Sequence, residues 1–305
     1  MTIAVFGSIN IDITAYSERL PRPGETLHGT RYLTGLGGKG ANQAAASAKL
    51  GAPTHLIGRV GDDHFARSAL HALESFAVDI SYVHRDSSNG TGIAIINVDA
   101  RGENFITVIA GANFAVDDSD VERARAGLAA ASVLLLQLEV PQAPMMSAAG
   151  YAGQAGAKVV LDPAPVPPNA RDMDLSLIDI ITPNEVETEH LTGIRPHDIA
   201  TAGEAARHLH ARGPKSVILK LGEWGAFLST GEEARMIEAF KVAAVDTVAA
   251  GDCFNGGLAY ALSQGMDLGE SARFACACGA LSTTRYGAAA AAPGLAEVKD
   301  LLARG

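Results

Sequence analysis

The residues best suited to chemistry lie in one short segment, Asp246-Thr247-Val248-Ala249-Ala250-Gly251-Asp252. Residues 240–245 before it have the apolar character of a strand, and residues 254–262 after it read as an apolar helix. Ala249, Ala250 and Gly251 are small enough for exposed backbone N–H groups to converge at the helix N-terminus. Unpaired donors and the helix dipole there favour an anion such as a phosphoryl group in transfer. Asp252 falls in the first turn, ionised at neutral pH and able to take a proton from an attacking hydroxyl. An acidic residue resting against the dipole gives the same pattern without chemistry, so the companion motifs decide.

The next motif is Gly35-Leu36-Gly37-Gly38-Lys39-Gly40 with Asn42. It is a poor dinucleotide fingerprint, because no acidic ribose ligand follows in a βαβ context, and it is no phosphate-binding Walker loop, because Gly-Ala follows Lys39. A turn where backbone approaches a polyol, with Lys39 and Asn42 as donors, is the functional reading; a tight turn before an alanine helix is the plain one. Polar residues also stand at the carboxyl ends of expected strands: Asn10 and Asp12, Glu139, and Asn184 with Glu187. Ligands of open α/β sheets bind beyond those ends. Amides and carboxylates suit sugar hydroxyls, and Glu187 is of a type to hold magnesium directly or through water. Lys220-Leu221-Gly222-Glu223-Trp224-Gly225 is either a glycine-framed loop whose amides approach a triphosphate or a strand-to-strand turn. The histidines form no triad with a serine or cysteine nucleophile.

Elements that must position these residues follow from periodicity. Strands are expected at residues 3–9, 54–60, 133–138, 158–161, 178–181 and 216–221, and helices at 41–50, 64–76, 121–130, 141–155, 185–191 and 203–212. Short strands are expected near 226–229 and 235–240, and three closing helices near 251, 269 and 294. This alternation implies βαβ units around a mostly parallel sheet. Extra strands from about 12–34 and 90–110, the latter a hairpin, do not fit the alternation and are expected to form a small sheet over the site. The chain, 1–305, is expected to be one α/β domain with that small sheet inserted.

Composition excludes several classes. The formal charge of −10 comes without a lysine and arginine cluster, which argues against nucleic-acid binding. No apolar stretch approaches the ~20 residues that cross a bilayer, and the start shows no basic leader, so a cytoplasmic protein is expected. The three cysteines, Cys253, Cys276 and Cys278, lack the partners for a zinc site and are expected to be buried thiols.

Further segments complete the pattern: Gly7-Ser8-Ile9-Asn10-Ile11-Asp12, Pro23-Gly24-Glu25-Thr26, Gly58-Arg59-Val60-Gly61-Asp62-Asp63, Ala110-Gly111-Ala112-Asn113, Gln137-Leu138-Glu139 and Thr182-Pro183-Asn184-Glu185. In this order and spacing, over nearly the whole chain, the sequence resembles the ribokinase-like, or phosphofructokinase B, family of carbohydrate kinases. The resemblance implies a three-layer α/β/α fold with a β-sheet lid, and ATP-dependent, magnesium-requiring phosphorylation of D-ribose to D-ribose 5-phosphate. Fructose, another ketose or a nucleoside are the alternative acceptors within the family. An oxidoreductase rests on the glycine segment alone, and a non-catalytic sugar-binding protein does not account for Gly251-Asp252.

Carried over residue by residue, the resemblance makes Asp252 the base and Ala249, Ala250 and Gly251 the anion hole. Asn10, Asp12, Gly38, Lys39, Asn42 and Glu139 fall on sugar-contacting positions, with Ala94 and Ile96 on the lid above. Asn184, the loop Lys220, Leu221, Gly222, Glu223, Trp224 and Gly225, Gly251 and Cys276 fall on the nucleotide side, and Glu187 on the magnesium-associated position. A potassium site maps to Asp246, Val248, Ser282, Arg285, Gly287 and Ala291, and a homodimer through the lid is implied. The sequence departs from the family at Lys220, where threonine is common, at Cys276, where a polar side chain is common, and over residues 289–291, which are all alanine.

Overall fold

The strands are β1 Thr2–Phe6, β2 Asn10–Tyr16, β3 Arg31–Gly37, β4 Thr54–Gly61, β5 Asp79–Asp86, β6 Gly92–Val98, β7 Asn104–Ile109, β8 Ala131–Gln137, β9 Lys158–Asp162, β10 Ile180–Ile181, β11 Ser216–Lys220, β12 Ala226–Ser229 and β13 Ala234–Ile237. The helices are α1 Lys39–Lys49, α2 His64–Ser75, α3 Asp118–Arg123, α4 Arg125–Ala130, α5 Gln142–Gln154, α6 Glu185–Thr192, α7 Ile199–His210, α8 Ala250–Ser263, α9 Leu268–Ser282 and α10 Leu295–Arg304. They come from a computed structural model that describes residues 1–304.

Nine strands form one sheet in the order β13-β12-β11-β10-β9-β8-β1-β4-β5, parallel from β11 to β5 and antiparallel at β12 and β13. The central strands are apolar throughout because helices cover both faces. Their side chains divide with the period of two of an extended chain. Ile3, Val5, Val133 and Leu135 face a core shared with α1, α2, α8, α9 and α10. Ala4, Phe6, Leu134 and Leu136 face a second core with α3, α4, α5 and α7. Small residues bring α1 against α8: a Cβ on Gly256 would lie 2.6 Å from that of Ala46. This approach places the polar start of α1 beside the first turn of α8.

The remaining four strands form a separate sheet, β3-β2-β6-β7, with β2 and β6 parallel and the outer pairs antiparallel. Asp12 stands in register with Ala94, and Thr14 with Ile96. This sheet leaves Tyr32, Leu33, Phe105, Ile106, Val108 and Ile109 exposed.

Some expectations need correction. Residues 240–245 form no strand; they are an open connection whose end is held by the Val245 and Asp246 amides donating to the Thr283 carbonyl (2.8 and 3.1 Å). The helix expected over 121–130 is two short helices separated at Ala124. The edge strand β5 was not expected, since its sequence DISYVHRD carries charge at both ends and only partial burial.

Candidate active site

β1, β8, β9 and β11 end on the same side of the fold and deliver Ser8, Glu139, Asp162 and Lys220; Asn10 and Asp12 lie at the start of β2, not at the end of a strand as expected, and α1 and α8 enter from one face. Gly38 makes the turn into α1 at φ 86°, in a space where any Cβ would lie 2.9 Å from both Asn10 N and Ser8 O. Neither α1 nor α8 has a side-chain N-cap. For α1 the role passes to Glu139, whose Oε2 accepts from the Lys39 amide (3.0 Å) and from the Ser8 hydroxyl (2.5 Å). For α8 the turn is made by Ala249 at φ 57°, a left-handed conformation that an alanine adopts at a cost. The Gly251 and Asp252 amides that follow, in the first turn of α8, have no intrahelical partner, which is the kind of helix start that can receive an anion.

Asp252 is buried, and burial pushes its carboxyl up, with the Lys39 ammonium opposing and Asp162 reinforcing the rise. Asn42 Nδ2 donates to its Oδ2 and Gln43 Nε2 to its Oδ1, each at 3.1 Å. Gln43 Nε2 also donates to Asp162 Oδ2 (2.9 Å), and Gln43 Oε1 accepts from Gln137 Nε2 (2.7 Å). Burial would depress the Lys39 ammonium, but Asp252, Asp162, Glu139 and Glu187 around it hold its pKa above the ordinary lysine value.

On the small-sheet side, Asp12 folds over Gly37, where a Cβ would meet its Oδ1 at 1.9 Å. Burial first, then Glu139 and Asp252, raise its carboxyl from the ordinary 3.8 to about 6. Asn10 Oδ1 accepts from Asn113 Nδ2 (2.7 Å), and Asn113 in turn bonds both backbone groups of Ile9 (2.8 and 3.1 Å). Ala94 is buried and Ile96 half-buried on that sheet. Asn42 Oδ1 is buried with no partner among the described residues, which leaves an acceptor for a ligand hydroxyl.

On the far side, Asn184 and Glu187 form a reciprocal capping box at the start of α6: Asn184 Oδ1 accepts from the Glu187 amide (2.9 Å), and Glu187 accepts from the Asn184 amide (2.7 Å) and Nδ2 (2.9 Å). Burial raises the Glu187 carboxyl, while Lys220, whose Nζ is 4.0 Å away, opposes. Lys220 Nζ pairs with Asp162 Oδ1 (2.7 Å). The 3₁₀ turn Gly222–Trp224 follows, framed by Gly222 at φ 54° and Gly225 at φ 94°. Leu221 and Trp224 line an open apolar cleft of about 500 Å³ with His197, Ile199 and Met236. Glu223 lies in the same turn. Cys276 is buried in α9 among Phe254, Ala275 and Ala277, and burial pushes its thiol up to about 12, so it offers an apolar contact rather than a charge.

Among the described residues no group of three His, Cys, Asp or Glu side chains is placed to hold a metal. Magnesium in kinases needs one or two carboxylates with waters and phosphates. Glu187 fits that need through water, both its oxygens being already engaged by Asn184. The segments expected around a monovalent cation are adjacent: Asp246 accepts from the Val248 amide (3.0 Å) and the Gly287 amide (3.2 Å). Ser282 is buried with its hydroxyl on Gly279 O (2.8 Å), and Arg285 pairs with Glu297. Ala291 is buried in the following 3₁₀ turn. Asp246 and neighbouring carbonyls are oxygen donors of the kind a hard cation takes.

Asp162, Gln43 and Ser8 were not singled out by sequence. Asp162 ends an apolar strand as Glu139 follows one, yet the strand expected over 158–161 stops a residue short of it. Gln43 is a long polar side chain buried in a helix made mostly of small residues, which is a signal in itself.

A doubly covered, mostly parallel sheet with an acid at an uncapped helix start and a small sheet beside it is the architecture of a carbohydrate kinase. The chain belongs to the pfkB family of carbohydrate kinases, whose model matches residues 2–294. It is 40% identical to a ribokinase of Haemophilus influenzae, over 99% of this chain and 98% of that one. It is 36% identical to a deoxyribokinase of Salmonella typhi, over 99% of each. The structure of Arabidopsis thaliana ribokinase complexed with ribose and ATP superposes with a TM-score of 0.89 at 34% identity, covering 98% of both chains. Among the described residues no helix is long and apolar enough to cross a membrane.

Proposed function

We propose that the chain catalyses transfer of the γ-phosphoryl group of ATP to D-ribose, giving D-ribose 5-phosphate and ADP. The observation that carries this reading is the buried Asp252 carboxylate in the first turn of α8, within hydrogen-bond reach of Asn42 and beside a helix start with no side-chain cap. Asn10, Asp12, Gly38, Lys39, Asn42 and Glu139 hold the sugar, with Ala94 and Ile96 above it. Asp252 takes the proton of the attacking hydroxyl as that oxygen bonds to the γ-phosphorus and the bond to the β-phosphate oxygen breaks. The amides over Ala249, Ala250 and Gly251 take the charge that develops on the transferring group. Asn184, Gly251, Cys276 and the loop from Lys220 to Gly225 face the nucleotide, with the apolar cleft beside Trp224 suited to a flat ring. Magnesium, held through water by Glu187, would neutralise phosphate charge.

A potassium ion at Asp246, Val248, Ser282, Arg285, Gly287 and Ala291 would steady the turn that precedes the anion hole. Residues 1–305 act as one kinase unit, with the small sheet closing as a lid and its exposed apolar face covered by the lid of a second copy. A second acceptor, 2-deoxyribose, is favoured by the likeness to the deoxyribokinase of Salmonella typhi. A coupled assay of ADP release over ribose, 2-deoxyribose, fructose, other ketoses and nucleosides decides. Ribose is expected to give the highest kcat/KM; turnover of another acceptor without ribose would overturn the assignment.

A further inference from the structure

In the proposed reaction Lys220 stands only on the nucleotide side, with no part in the transfer step, and its ion-pair partner Asp162 has no task. The two side chains are 14% and 2% exposed. Lys220 Nζ is directed over the first turn of α8: a Cβ on Gly251 would lie 3.3 Å from it. Asp162 is tied at its other oxygen to Gln43. The Gln43 amide cannot turn over, because its oxygen is taken by Gln137 and its NH₂ group serves two carboxylates, Asp162 and Asp252. The result is an unbroken chain from a cation above the anion hole, through Asp162 and Gln43, to the carboxylate at the helix start.

Resting on the kinase reading above, we infer that the Lys220 ammonium is a catalytic group that binds the transferring phosphoryl, and that Asp162 is a positioning residue that holds it there. A flexible lysine loses rotamer freedom only when something fixes it. Asp162 fixes it before the nucleotide arrives, so the charge is in place when the phosphoryl group passes between ATP and the sugar. Gln43 sets the spacing between that charge and Asp252, which must act on opposite sides of the same phosphorus.

The test combines kinetics with nucleotide binding. Lys220→Met is expected to lower kcat about 10²-fold, as loss of one transition-state donor does, with little change in the KM for sugar. Without any sugar present, calorimetry is expected to show Lys220→Met weakening ATP about tenfold more than ADP, because only ATP carries the phosphoryl under the ammonium. Asp162→Asn is expected to lower kcat about tenfold in the Lys220 enzyme and by less than about twofold in the Lys220→Met background. If Lys220→Met alone folds poorly, the double variant, which removes both charges, carries the comparison of ATP with ADP, set against Asp162→Asn alone. Equal weakening of ATP and ADP, or an Asp162→Asn effect of the same size in both backgrounds, overturns the inference. Failure of every sugar in the turnover panel would sink the sugar assignment while the nucleotide measurements still decide this one.

Discussion

Replacing Asp12 by asparagine is expected to stabilise the free protein while impairing it. The change keeps shape and removes a charge that the fold holds against its preference. Burial, Glu139 and Asp252 raise the carboxyl from 3.8 to about 6. The folded state therefore binds a proton that the unfolded state has released between those two values, and stability falls as pH rises through that window. Above about 6 the penalty is complete. About two pKa units at 1.36 kcal/mol each set a ceiling near 3 kcal/mol, and solvent at a partly open site reduces this to about 1–2 kcal/mol. At pH 7.5 the variant should melt a few degrees above the parent by calorimetry, and at pH 4 the advantage should vanish. The same change removes a charged acceptor for a sugar hydroxyl, a bond of about 1.5–3 kcal/mol, so kcat/KM for ribose should fall about 10- to 100-fold. A variant that melts lower at pH 7.5, or gains equally at both pH values, would refute the electrostatic argument.

The cation site and the lid give two further expectations. Substituting potassium by a large organic cation should slow turnover severalfold, and restoring potassium should recover it; rates independent of the cation at all concentrations would remove the site from the account. Placing a charge on the exposed apolar face, as in Phe105→Glu, should convert a dimer of about twice 31.4 kDa into a monomer in sedimentation equilibrium. A parent protein that is monomeric at the outset would discard the lid pairing.

Most of the fold was readable because each layer leaves a periodic mark. Apolar runs such as 133–136 signal strands covered on both faces, and the alanine run after Asn42 signals a tightly packed helix. β5 escaped because it is an edge strand with one half-open face, and residues 240–245 misled because apolar character alone does not supply ladder partners. That Asp12, Lys39, Asn42, Glu139 and Asp252 gather in one place was legible from polar residues beside expected strands and glycine turns. The Gln137–Gln43–Asp162–Lys220 chain was not, since its members come from four elements, α1, β8, β9 and β11, and only the packing of α1 under the sheet edge joins them. Asn184-x-x-Glu187 carries a capping-box spacing that sequence does reveal, and the structure places both side chains in that box, with Glu187 4.0 Å from Lys220.

Asp252→Asn tests the central claim most directly. The amide can keep a hydrogen bond with Gln43 or Asn42 but cannot take a proton. In the ADP-release assay with saturating ATP and ribose, kcat should fall by about 10²–10⁴ while the KM for ribose changes little. Turnover close to that of the parent would contradict the assignment of Asp252 as the base.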